Sequence, residues 1–226
     1  MGVRLPLRAP TVSAKGGPAS GGRLPASRRR ASRVEAGYRG YQLLIERSMS
    51  DTEILNVMDE QGNVVHTVTR EEAERDNHIT PNAIIFIFTP KGEVWVQKRA
   101  KTKKHYPGIW DVSACGAILH NEKPEQSALR EMDEEMGVAC DLYFVEAFLN
   151  EFLGEDGSVR RRFSHLYIGV SDKIPQVNEE VEEFVAVPAD ELVQKIQQHP
   201  DEYVPSFLME LEKACAAARA IGLLHS

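Results

Sequence analysis

Glu131, Glu134 and Glu135 stand within five positions of one another, with Arg130 just before them and Gly116 and Gly137 on either side. On a helix turning about 100° per residue, placing Glu131 at zero puts Glu135 near 40° and Glu134 near 300°. The three carboxylates then share a face about 100° wide, with Arg130 beside them near 260°. Ala128, Leu129, Met132 and Met136 fall between roughly 60° and 160°, an apolar stripe next to the acidic one. Like charges three and four residues apart weaken a bare helix. Glu134 and Glu135 also lie in the last turn, where the helix dipole disfavours negative charge. A hard divalent cation held by carboxylate and carbonyl oxygens removes both penalties, and Mg²⁺, with Mn²⁺ as a substitute, is the expected ion.

The element that carries these acids reads as a helix with clear ends. Pro124 suits a first turn, because its missing N–H would be unpaired there anyway. Gly137 suits a left-handed cap at the other end. Around this helix the chain reads as strands. Ile54–Val57 and Val64–Val68 flank the turn at Gly62, and Ala83–Phe88 and Val94–Val96 flank Pro90-Lys91-Gly92. Further strands are expected near 110–112, 142–149 and 163–170, and helices at about 189–198 and 205–221. Strands with interspersed helices but no strict βαβ alternation predict an α/β fold, a mixed β-sheet sandwiched between α-helices.

Hydrophobic residues are 42% of the 226 and charged residues 27%, too apolar for a wholly disordered chain. The longest central apolar run, Ala83 to Phe88, is far short of the ~20 residues a membrane-spanning helix needs, so no membrane partner is expected. Three cysteines make no disulfide framework and point to a reducing compartment. The net charge of −7 argues against nucleic acid as a partner, although it is unevenly spread. Residues 1–48 carry nine Arg and Lys15 against Glu35 and Glu46, a balance of +8, which leaves −15 for residues 49–226. The early segment is rich in Gly, Ala, Ser and Pro and is expected to be a disordered leader preceding a domain at 49–226. Two readings stand for it: an organelle transit peptide, which places the protein in a plastid or mitochondrion, or an extension ahead of a start at Met49, which leaves a soluble cytoplasmic protein.

The segment Gly116 to Val138 resembles the Nudix hydrolase signature: Gly, five residues, Glu, seven residues, Arg-Glu, hydrophobic, any, Glu-Glu, any, Gly, hydrophobic. Gly116, Glu122, Arg130-Glu131, Met132, Glu134-Glu135, Gly137 and Val138 satisfy every spacing. The resemblance implies a Nudix fold and Mg²⁺-dependent hydrolysis of a pyrophosphate bond in a nucleoside diphosphate derivative or related organic diphosphate. It implies Glu131, Glu135 and the Gly116 carbonyl as metal ligands, with Glu134 a third ligand or the group that orients water. Glu122, Arg130 and Gly137 would brace the loop and the acids. Glu180 resembles a further carboxylate that family members recruit as a base.

Upstream, Gln97-Lys98-Arg99, Lys103-Lys104 and Pro107-Gly108-Ile109-Trp110-Asp111 resemble the branch related to isopentenyl-diphosphate isomerases, whose catalytic Cys corresponds to Cys115. Four departures argue against isomerase chemistry: Ala117 in place of a His, Thr80-Pro81-Asn82 in the region of another His, Arg160-Arg161-Arg162 in place of an acidic pair, and an intact Arg-Glu and Glu-Glu core. No acid is found to face Cys115, which is read as a small buried residue. Lys98, Arg99 and Lys103 are the residues expected to hold the phosphates of a small-molecule diphosphate. His78, His105 and His165 show no ligand spacing. The helix at 205–221 is expected to pack on the domain, leaving a monomer or a homodimer. A non-catalytic Nudix-fold binding module is the remaining alternative, and it predicts damage to the acidic set.

Overall fold

The computed structural model describes residues 52–224; the leader expected at 1–48 lies outside them. The strands are β1 (Ile54–Met58), β2 (Val64–Thr69), β3 (Thr80–Phe88), β4 (Glu93–Arg99), β5 (Trp110–Asp111), β6 (Ala114–Ala117), β7 (Leu142–Leu153), β8 (Val159–Val170) and β9 (Val181–Pro188). The helices are α1 (Arg70–Arg75), α2 (Pro124–Met136), α3 (Ala189–Gln198) and α4 (Phe207–Ala220), with a 3₁₀ turn at Pro200–Glu202. Strands β1 and β2 form a hairpin of their own. The other seven make one mixed sheet, in which β3 and β8 run parallel and the remaining pairs antiparallel.

Alternation along β3 explains its continuous apolar sequence. Ala83, Ile85 and Ile87 face α2, where they meet Ala128, Met132 and Met136. Ile84, Phe86 and Phe88 face α3 and α4, where they meet Leu192, Phe207 and Leu211. A strand covered on both faces has no polar side to show. The mixed sheet between helices expected from the sequence is therefore present.

The sheet is forked at its centre. Strands β3 and β4 pair only at Phe88 and Val94, then diverge. Their separated halves take up new partners, β6 on β3 and β5 on β4. Ser113, between those two short strands, sits at the fork with no exposure. Its hydroxyl donates to the Trp95 carbonyl at 2.5 Å and accepts from the Ile87 N–H at 2.8 Å. One small hydroxyl thus replaces the ladder hydrogen bonds that the splay removes.

Several expectations are corrected. Leu129 is not part of the core stripe; it is 48% exposed, because its ~160° position lies past the edge of the face that α2 buries. Strands β7 and β8 run to Leu153 and from Val159, a longer hairpin than expected, closed through the Gly154–Ser158 turn. The single strand expected near 110–112 is two short ones, β5 and β6. Helix α1 was not anticipated, although Thr69 and Glu72 form a capping box that marks its start.

Candidate active site at the fork

Helix α2 begins at Pro124 and ends at Gly137, which takes φ 63° and donates its N–H to the Asp133 carbonyl. The last carbonyls, of Glu134 and Glu135, accept from the Asn178 side-chain amide at 2.9 and 3.0 Å. The Asn178 carboxamide oxygen in turn accepts from the N–H groups of Glu180 and Val181. One amide therefore ties the end of the acidic helix to the loop that carries Glu180.

Arg130 is the hub of the braced loop. Its Nε and Nη2 reach the two oxygens of Glu122 at 2.9 and 3.0 Å, a bidentate pair. Its Nη1 reaches Glu131 at 2.7 Å and Glu134 at 3.0 Å, and Nη2 also donates to the Ala117 carbonyl at 3.2 Å. Glu122 closes the loop by accepting from the Leu119 N–H at 3.1 Å. Burial alone would raise the Glu122 carboxyl, but the Arg130 and Leu119 hydrogen bonds outweigh it and hold it below its ordinary value. The guanidinium is pushed up, chiefly by its bonds to Glu122.

Gly116 is where a side chain has no room. A Cβ there would lie 2.0 Å from the Glu131 carboxyl carbon, so β6 must present bare backbone to that acid. Glu135 is 2% exposed. Its Oε2 accepts from the Gln97 side chain at 2.8 Å and from the Cys115 N–H at 2.9 Å. Gln97 belongs to β4 and Cys115 to β6, so Glu135 spans the fork. Burial pushes its pKa up to about 8, with the charge of Glu131 adding to the shift. Burial raises Glu131 as well, despite Arg130.

The expected three-carboxylate set is not gathered into one cage. Among the described residues no three acid, imidazole or thiol side chains converge in that way. Glu134 lies about 100° round the helix from Glu135, and its half-exposed carboxylate goes to Arg130. Glu131 and Glu135 remain, two desolvated acids against the Gly116 backbone. Burial is the main cause of their raised pKa values and their mutual repulsion adds to the rise of Glu135; this hard oxygen set fits a divalent cation such as Mg²⁺.

The expected substrate-binding cations go to different places. Lys103 pairs with Glu180 at 2.5 Å, and its charge works against the upward shift of Glu135. Glu180 contributes to the rise of Glu131, so this pair stands within electrostatic reach of both acids. Arg99 pairs with Asp111 at 2.8 Å. Lys98 lies over the Trp110 ring, 5.5 Å from its centre, facing away from the acids. Sequence reasoning missed Gln97, Asp111, Asn150 and Glu210. The last lies on α4 and lines the same cavity of about 160 Å³ as Cys115. Burial pushes the Glu210 carboxyl up to about 7, and it accepts from the Asn150 amide at 2.7 Å.

A mixed sheet held between helices, with a loop–helix–loop that aims buried acids at a glycine strand, defines a class before any comparison is made. Residues 78–207 match the NUDIX domain family, and the chain belongs to that family. An isopentenyl-diphosphate Delta-isomerase 2 of Photorhabdus laumondii is 32% identical over 156 residues, covering 69% of this chain and 88% of its own. An uncharacterised Nudix hydrolase of Pseudomonas aeruginosa is also 32% identical, over 133 residues, 57% of this chain and 74% of that one. Among solved structures, a Deinococcus radiodurans protein, DR0079, superimposes with a TM-score of 0.60 at 22% identity, over 72% of this chain and 99% of that one. That likeness shows the fold.

Proposed function

We propose that the protein hydrolyses a pyrophosphate bond in a nucleoside diphosphate derivative or related organic diphosphate, with Mg²⁺ held by Glu131, Glu135 and the Gly116 carbonyl. The observation that carries this reading is the braced acid pair: Glu131 fixed by the Arg130–Glu122 fork, and Glu135 fixed across the split sheet by Gln97 and the Cys115 N–H. A bound magnesium ion would neutralise diphosphate oxygens and make a neighbouring water more acidic. The chain's own residues supply placement, the main protein contribution in phosphoryl chemistry. Arg130 holds Glu131 in place and opposes the upward push of its burial. Glu134, half-exposed and tethered to the same guanidinium, would orient a water. Glu180 is the candidate base, and Lys103, its partner, would be freed for the substrate when Glu180 takes a proton.

A second reading, isomerisation of an isoprenoid diphosphate, draws on Glu210, a buried carboxyl pushed up to about 7 that lines the cavity of Cys115. It is disfavoured at the thiol. Burial, then the charges of Asp111 and Glu135, push Cys115 well above its ordinary value, which makes it a poor base. The test is a panel of organic diphosphates, isopentenyl diphosphate included, followed by phosphorus and proton NMR with Mg²⁺. Release of phosphate or a monophosphate is expected. Movement of the double bond with no release would overturn hydrolysis in favour of the second reading.

A further inference from the structure

On the face of the sheet away from α2, two cavities lie side by side. One, of about 160 Å³, starts behind the acid pair at Cys115, Asp111 and Arg99 and reaches Asn150 and Glu210. The other, of about 450 Å³, is lined by Glu74, Lys104, His105, Glu155, Asp156 and Arg160. Tyr106, Phe152 and Arg162 belong to both walls. Strand alternation puts Arg162 there: it shares its face of β8 with Leu166 and Ile168, while Arg161 turns to the other side and meets Glu60.

Nearly every cation around these cavities has an acid. Arg99 has Asp111, Lys104 has Glu74, His105 lies 3.5 Å from both Glu74 and Glu155, and Arg160 has Asp156. Arg162 has none among the described residues. Its one hydrogen bond runs from Nη1 to the carbonyl of the preceding residue, Arg161, at 3.0 Å. Glu74, the acid whose charge favours it most, is already engaged by Lys104 and His105. Burial pushes the guanidinium down from its ordinary value, which measures how poorly solvent compensates it. An arginine cannot escape by losing its proton, so a half-buried guanidinium with no acid partner among the described residues favours an anion. Directly across the β7–β8 ladder stands Asn150, whose carboxamide oxygen is buried and has no donor. Two cross-strand neighbours thus face one cavity with hydrogen-bonding capacity unfilled, a fork of donors and a lone acceptor.

We propose that this cavity is a subsite for a phosphoryl group of the substrate beyond the scissile bond, bound by the Arg162 guanidinium through paired N–H donors. Guanidinium geometry matches two phosphate oxygens, and the Asn150 oxygen suits a hydroxyl borne beside the phosphate, as on a phosphorylated sugar. The substrate is then a diphosphate compound with a second phosphoryl group. As a substrate assignment this rests on the hydrolase reading above; as an anion site it does not.

The test separates the two. Inorganic phosphate and ribose 5-phosphate are titrated calorimetrically into the protein in EDTA, where hydrolysis cannot occur. Wild type and Glu135→Gln are expected to bind alike, and Arg162→Gln to bind at least about 10-fold more weakly. Arg162→Lys, which keeps the charge and loses the fork, is expected to fall between them. The Arg162→Gln protein should unfold at no lower temperature than wild type, since it loses a cation without an acid partner and one local hydrogen bond that the Gln amide can replace. In hydrolysis assays Arg162→Gln should raise KM for diphosphates carrying a second phosphate and leave those without one unchanged. Equal phosphate affinity in wild type and Arg162→Gln, no phosphate binding by wild type, or a lowered unfolding temperature each sinks the subsite. If phosphate binds through Arg162 but no diphosphate is cleaved, the hydrolase reading fails and the anion site stands.

Discussion

Glu135 and Glu210 are buried carboxylic acids on opposite faces of one sheet, 2% and 3% exposed, and both are pushed up by that burial. Their surroundings differ. Glu135 has a second carboxylate, Glu131, beside it, and its N–H donors converge on a single oxygen. Glu210 has neutral partners, the Ser206 hydroxyl and the Asn150 amide, and beyond them the charge of Asp111. A lone buried acid is comfortable when protonated. A pair of acids crowded against a glycine strand is not, and it gains most from a cation. The contrast teaches that a raised pKa alone does not mark a metal site; the company of another carboxylate does.

The sharpest way to break this comparison is to neutralise each acid in turn. Glu135→Gln is expected to lower kcat about 10²-fold or more, by removing a ligand of the cation. Glu210→Gln should stay within a few-fold of wild type. Steady-state kinetics with saturating Mg²⁺ measures both, and equal losses in the two variants would erase the distinction between the faces.

Gly116→Ala is expected to have the next largest effect. The added methyl would overlap the Glu131 carboxyl, which must swing out of its pairing with Arg130 to make room. Activity should fall by roughly 10-fold or more, because small displacements of positioned groups are expensive in rate. Mg²⁺ affinity, read by calorimetry, should fall with it. An alanine variant with wild-type affinity would show that the β6 backbone need not touch Glu131.

How much of this was legible in the sequence depends on distance along the chain. Helix α2, its two ends, and the Arg130–Glu131–Glu134 cluster are local, so rotation per residue and the Pro and Gly positions sufficed. Leu129 was misplaced because rotation alone cannot say where a buried face ends. The partners that fix Glu135 and Glu210 come from 38 and 60 residues away, through a fork in the sheet that no pattern in β3 or β4 announces. Runs of like charge misled in the same way. Lys98, Arg99 and Lys103 read as one cluster, yet they end on the Trp110 ring, on Asp111 and on Glu180. Arg160, Arg161 and Arg162 read as another, and alternation along β8 sends the middle one to the far face.

The smallest expected effect is on stability without metal, and it sharpens the comparison through pH. Both acids have folded pKa values above the ordinary 4.5, about 8 for Glu135 and about 7 for Glu210. Between 4.5 and those values the folded state holds protons that the unfolded chain has released, so stability falls as pH rises. The fall contributed by Glu210 ends near pH 7, and that of Glu135 near pH 8. Glu74, pulled down to about 2 mainly by its hydrogen bond with His105, acts below 4.5 and does not overlap this window. In EDTA, thermal unfolding from pH 5 to 9 should therefore show a declining Tm. Each group can contribute at most about 1.4 kcal/mol per pH unit, or about 3 °C per unit for a domain of this size. Glu210→Gln should make the decline shallower up to pH 7 and leave the part from 7 to 8, whereas Glu135→Gln should make it shallower throughout and remove that upper part. Mg²⁺ should raise the wild-type Tm most at pH 8 and above, where Glu135 is ionised and ready to bind, and should do nothing more for Glu210→Gln than for wild type. A Tm that stays level with pH across this window would mean that both acids are already ionised at pH 5, and the contrast between the faces would have to rest on geometry alone.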